Sequence, residues 1–163
     1  MIMPVEHSPI PTDPVPHNYP VMAARAGSGS VQAHLNLGWN LTIVKSIALL
    51  NIVCPQRNEW KVQDKAARVV QTLIELWLSQ SDGPLTANIH HPGKALWCVG
   101  DIVRVKSGDS LAQLLWHNDM AVLYPMEDGE LWTEERLHGV INGGCKLLGV
   151  SPGELTDESL QSQ

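Results

Sequence analysis

The side chains able to do chemistry in this chain are few and scattered. His90-His91, Cys98, His117, His138 and Cys145 are of the types that hold zinc or serve as nucleophile and base. Their spacing supports neither role. No pair shows the CxxC or HxxxH interval that puts two ligands on one loop or one helix face. His90-His91 run into Pro92-Gly93, a loop composition, so the expectation is solvated histidines and buried thiols, with no metal and no cofactor. Cys145 follows Asn142-Gly143-Gly144 and could pair with His117 or His138 as a thiol and its base. The helical pattern around it puts the thiol inside a helix, away from a helix start where the dipole would lower its pKa. No third group stands ready to orient the base. The expectation is therefore a non-enzymatic protein with unreactive Cys98 and Cys145, and a small Cys/His-dependent enzyme is the alternative.

Gly100-Asp101 leads into Ile102–Lys106, the glycine-aspartate entry to a strand found in many small barrels. It says that a turn feeds a strand and carries no function. There is no glycine-rich phosphate loop. The basic stretch Arg57, Lys61, Lys65 and Arg68 is more suggestive, because positions 61, 65 and 68 share one helix face. Such a face opposite an apolar stripe is ordinary for an amphipathic helix. Read functionally, it would meet an acidic partner, with Glu59 and Asp64 diluting it. The net charge of −6 is uneven. Residues 31–106 are mildly basic, and residues 107–163 set only Arg136 and Lys146 against a run of acids. Nucleic-acid binding calls for a stronger basic footprint and is disfavoured.

These groups must be positioned by the elements around them. Prolines at 4, 9, 11, 14, 16 and 20, followed by Gly27-Ser28-Gly29-Ser30, make residues 1–30 an extended arm ending in a flexible joint. Residues 31–155 read as one α+β domain and 156–163 as a polar tail. The β-branched run 41–53 is a strand. Asn58 caps a helix to about Ser79, whose stripe is Val62, Ala66, Val69, Val70, Leu73, Ile74 and Trp77. Residues 85–125 read as a meander, with strands at 95–99, 102–106, 111–116 and 120–124 and a hairpin at His117-Asn118-Asp119. Thr133 caps a second helix ended by Gly149, and Gly139, Gly143 and Gly144 within it imply close packing or a break. The fold class is thus an antiparallel β-meander packed on two main helices behind the arm. Phe is absent and Trp occurs six times, so most tryptophans are expected in the core.

In the arm, Pro11-Thr12-Asp13-Pro14 and Tyr19-Pro20-Val21-Met22 resemble the short proline motifs by which some viral matrix proteins recruit host budding machinery. Asp13 stands where Ala is expected and Met22 where Leu would be. The order of arm, strand, helix, sheet and C-terminal helix is also similar to the plan of rhabdovirus-type matrix proteins. Those proteins are usually basic, unlike this chain. The resemblance implies a structural role in a viral or phage particle.

The expected function is self-association as a structural or adaptor protein. Val5, Ile10, Val15, Tyr19 and Val21 would be apolar anchors of the arm, and Arg57, Lys61, Lys65 and Arg68 would meet the acidic C-terminal third of another copy. A monomeric protein-binding module is a further alternative. Three cysteines, an odd number, argue against a secreted disulfide scaffold, and no signal peptide is apparent. The expected location is the cytoplasm or an assembled particle, which would leave the sequon at Asn40 silent. The run 41–54 is too short and too polar to span a bilayer.

Overall fold

Side-chain alternation along consecutive strands builds the first part of the molecule. The computed structural model describes residues 17–27, 29–91, 97–123 and 132–154. Its first three strands are β1 (His17–Ala26), β2 (Ser30–Gly38) and β3 (Leu41–Leu49). On β2, Val31, Ala33 and Leu35 are buried while Gln32 and His34 are exposed, the period-two pattern of a strand with one face in a core. Ile47 and Leu49 extend that interior on β3.

The remaining elements are β4 (Ile52–Val53), α1 (Lys61–Ser79), β5 (Leu85–His91), β6 (Trp97–Arg104), α2 (Leu111–His117), β7 (Val122–Leu123) and α3 (Glu134–Leu148), with a 3-10 turn at Pro152–Glu154. β1, β2 and β3 pair antiparallel, β6 runs parallel to β3, and β5 pairs antiparallel with both β6 and β1. The result is a closed barrel in the order β1-β2-β3-β6-β5. A parallel pair needs a long crossover, and the segment containing α1 provides it. This is the connectivity of small five-stranded Greek-key barrels of the OB type. Closure depends on β1: Val21 is opposite both Leu35 and Leu85, and a bulge between Val21 and Ala23 supplies the bend.

The buried stripe of α1, which includes Ala66, Val69, Val70, Leu73, Ile74 and Trp77, covers the barrel end where β1, β3 and β6 finish. There Glu75 Oε2 accepts the Ala26 N–H at 2.8 Å, and Arg104 Nη2 donates to the Trp77 carbonyl at 2.9 Å. The Arg104 guanidinium also lies 4.4 Å from the Trp77 ring centre, a cation–π contact. α3 packs on α1 through a face that includes Leu137, Val140, Ile141, Gly144 and Cys145. Among the described residues no helix is long and apolar enough to cross a membrane.

The α+β composition and the two main helices are as expected, but the sheet is a closed barrel with one parallel pair instead of an antiparallel meander. The reason is β1. Residues 17–26, read as part of the arm, form a strand hydrogen-bonded on both sides. At the expected joint Gly27 N donates to Ser30 O at 2.8 Å and Gly29 has φ +76, while Ser28 lies outside the described residues. Residues 1–16 and 156–163 lie outside the described residues.

Other boundaries shift for local reasons. The run 41–53 divides at a turn where Asn51 has φ 61. α1 starts at Lys61, while Asn58 Oδ1 accepts the Trp60 N–H at 3.0 Å instead of capping. Gly100-Asp101 lies within the single strand β6, not at a turn between two. The expected strand 111–116 is helix α2, because Ser110 Oγ accepts Gln113 N at 3.2 Å and Asp101 Oδ1 accepts Ala112 N at 3.1 Å. Thr133 does cap α3, accepting Arg136 N at 3.3 Å, and the helix runs unbroken through its three glycines to Gly149 at φ 73. Most tryptophans are not core: Trp77 is buried, Trp132 is partly buried, and Trp39, Trp60, Trp97 and Trp116 are exposed. A five-stranded barrel is narrow, and residues such as Ala33, Val31, Ile47 and Ala87 fill it.

Candidate interaction surface

The thiols are buried and far from nucleophilic. Burial pushes Cys54 up to about 12, and it raises Cys98 and Cys145 against the opposing fields of Lys45 and Lys65. Neither His117 nor His138 is among the groups that perturb Cys145, and His138 instead sits 3.6 Å from Glu134 on the exposed side of α3. Among the described residues no three His, Cys, Asp or Glu side chains gather as a metal site. A raised thiol pKa stabilises the fold only while the thiol stays protonated. The unfolded thiol ionises near 9 and folded Cys54 near 12, so stability present below pH 9 is lost as pH rises between those values. Urea melts should show this as a loss on the order of 1 kcal/mol per pH unit, flattened by Cys54→Ala, while thiol reagents at pH 8 label the native protein far more slowly than the unfolded chain. Rapid native labelling would return a reactive cysteine to consideration.

Asp101 is the partly buried carboxyl that looks most like an active-site group. Burial raises its pKa, while the Ser110 hydroxyl and the N–H groups of Ala112 and Ile102 pull it down. All three donors belong to β6 or the start of α2, so the carboxylate ties that helix to the barrel and its hydrogen-bonding capacity serves the fold.

Three of the four basic residues of α1 and the loop before it, Arg57, Lys65 and Arg68, are drawn into the chain's own contacts. Asp64 receives Arg57 Nε and Arg68 Nε, each at 3.0 Å, and the hydrogen bond from Arg57 is the main reason its carboxyl lies below the usual range. Lys65 Nζ donates to the Pro152 carbonyl at 3.3 Å. Lys61 stands exposed at the helix start. Of the arm positions, Tyr19 and Val21 lie on β1 and pack against the core. Val5, Ile10 and Val15 lie outside the described residues.

The barrel end opposite α1 is different. A cavity of about 170 Å³ opens there, lined among the described residues by Tyr19, Leu35, Leu37, Ile43, Lys45, Ile89 and Cys98. The β2–β3 turn forms its lip. Trp39 and Asn40 both have positive φ, 52 and 61, as a two-residue hairpin turn of type I′ requires. Asn suits that conformation; a bulky Trp does not, and holding it there costs of order 1–3 kcal/mol. The Trp39 side chain gains no burial in return, since the residue is 96% exposed, and Leu37 and Leu41 beside it are exposed as well. Trp97, also exposed, begins β6 at the same end, next to Cys98. Among the described residues nothing packs on this strained aromatic, which stands in water beside an apolar cup.

The signal for this surface was present in Gly38-Trp39-Asn40, a turn triplet between two strand-like runs. Composition does not say which of the six tryptophans is exposed, so the triplet alone does not mark the lip. No family model matches the chain, and no curated protein matches it either.

Proposed function

We propose that this protein is a non-enzymatic, self-associating structural or adaptor protein, and that its contact surface is the barrel mouth with the β2–β3 lip. The observation that carries this reading is Trp39, strained at φ 52 and 96% exposed beside Leu37 and Leu41. Exposed apolar groups clustered at a concave site mark interaction surfaces, and tryptophan is the residue type most enriched where binding energy concentrates. Support also comes from what the other candidates do: buried thiols, a carboxylate that anchors α2, and Arg57, Lys65 and Arg68 bonded within the fold. The OB-type barrel does not by itself imply nucleic-acid binding, and the net charge of −6 weighs against it.

Trp39→Asn separates association from folding. Asn adopts the turn conformation readily, so the variant should melt at or above the native temperature, with a gain of about 1 kcal/mol. Mass measurement by light scattering should show an oligomer for the native chain at micromolar concentration and a monomer for the variant. A native chain that stays monomeric when concentrated, or a variant that assembles unchanged, would refute the reading.

A further inference from the structure

Resting on that self-association reading, we propose that the occupant of the barrel mouth is the proline-rich segment 1–16 of a second copy of the chain. The chain enters the barrel at the mouth: His17 is paired with Ile89, which lines the cavity, and Tyr19 lines it two residues later. His17, the first described residue, therefore stands at the rim where Trp39, Leu37 and Trp97 are exposed.

The chemistry of segment and surface match. Pro4, Pro9, Pro11, Pro14 and Pro16 favour a polyproline II helix, and such helices dock on exposed aromatic rings, losing little entropy because they are already stiff. Ile10 and Val5 are apolar side chains of a size to enter the cup between Tyr19, Ile43 and Ile89. The segment carries no Lys or Arg and holds Glu6 and Asp13 beside His7.

Exchange between copies follows from stiffness near the exit. Pro14 and Pro16 fix their own φ and restrict Asp13 and Val15 to extended backbone. That preference works against the reversal next to His17 that filling its own mouth would demand, and so favours the mouth of a second copy. At about 3.1 Å per residue, Ile10 lies roughly 20 Å and Val5 roughly 37 Å beyond His17, distances that suit a neighbour's cup.

The test uses two full-length variants, an arm variant Val5→Asp/Ile10→Asp and a mouth variant Leu37→Ser/Trp39→Asn, with circular dichroism melts confirming that both fold. Each alone should self-associate at least tenfold more weakly than the native chain. Mixed together they should form a one-to-one heterodimer by native mass spectrometry, because the mouth variant donates an intact segment to the arm variant's intact mouth. A labelled peptide of residues 1–16 should bind the arm variant and not the mouth variant. If the arm variant assembles like the native chain while the mouth variant does not, this inference fails and the self-association reading stands. If both variants assemble unchanged, both fail. Loss of assembly in both without heterodimer formation or peptide binding would also overturn segment exchange.

Discussion

Gly100→Ala should be the most damaging glycine-to-alanine change among the described residues, costing about 3 kcal/mol or more out of the 5–15 kcal/mol typical of a domain. Gly100 is buried in β6, opposite Leu49 of β3 and Ile89 of β5, and its carbonyl accepts the Leu50 N–H at 2.9 Å. A Cβ there would collide with the Asn88 carbonyl oxygen and come within 3.1 Å of the Ile89 Cα. Those neighbours are backbone, so relief requires β5 and β6 to separate at the point where the parallel β3–β6 pairing closes the barrel. Urea melts should show a large fall in midpoint, or a chain that does not fold. A native-like melt would mean that the two strands can splay freely there.

The glycines of α3 should divide in sign. Gly139 is exposed with nothing near its Cβ position, so Gly139→Ala should stabilise by up to about 1 kcal/mol through helix propensity alone. Gly144 is buried against α1, and a Cβ there would collide with Val69 Cγ1. Val69 is β-branched, stiff and fully buried, so it cannot swing aside. Gly144→Ala should therefore lose about 1–2 kcal/mol net despite the same propensity gain, and Gly144→Leu more. Adding Val69→Ala to Gly144→Ala should recover part of that loss, giving a favourable coupling in a double-mutant cycle. Equal effects at 139 and 144 would show that the α1–α3 contact is loose.

The sequence was most informative where periodicity was long and local. The stripe of α1 and the Thr133 cap of α3 lie within single elements whose pattern repeats over several turns, so each was legible without its partners. Short segments were not. Leu111–His117 carries an apolar run compatible with strand or helix, and the tie was broken by the Asp101 carboxylate, which accepts the Ala112 N–H from another strand. Residues 17–26 hold Pro20 and a weak alternation, which read as arm. They became a strand because β2 and β5 offer hydrogen bonds on both sides.

By itself, then, the sequence determined an α+β composition, two amphipathic helices and a strand in the β-branched run that begins at Leu41. Tertiary structure alone decided that the strands close into a barrel with a parallel pair, because closure depends on residues such as Val21 and Leu85 that are far apart in the chain. It decided that Arg57, Lys65 and Arg68 form contacts within the fold, where charge counting had left them available to a partner. It also decided that Trp39 stands in water while Trp77 is buried. The physical reason is common to all three. Local pattern fixes which face of an element is apolar, whereas burial and charge pairing depend on which other elements arrive at that face.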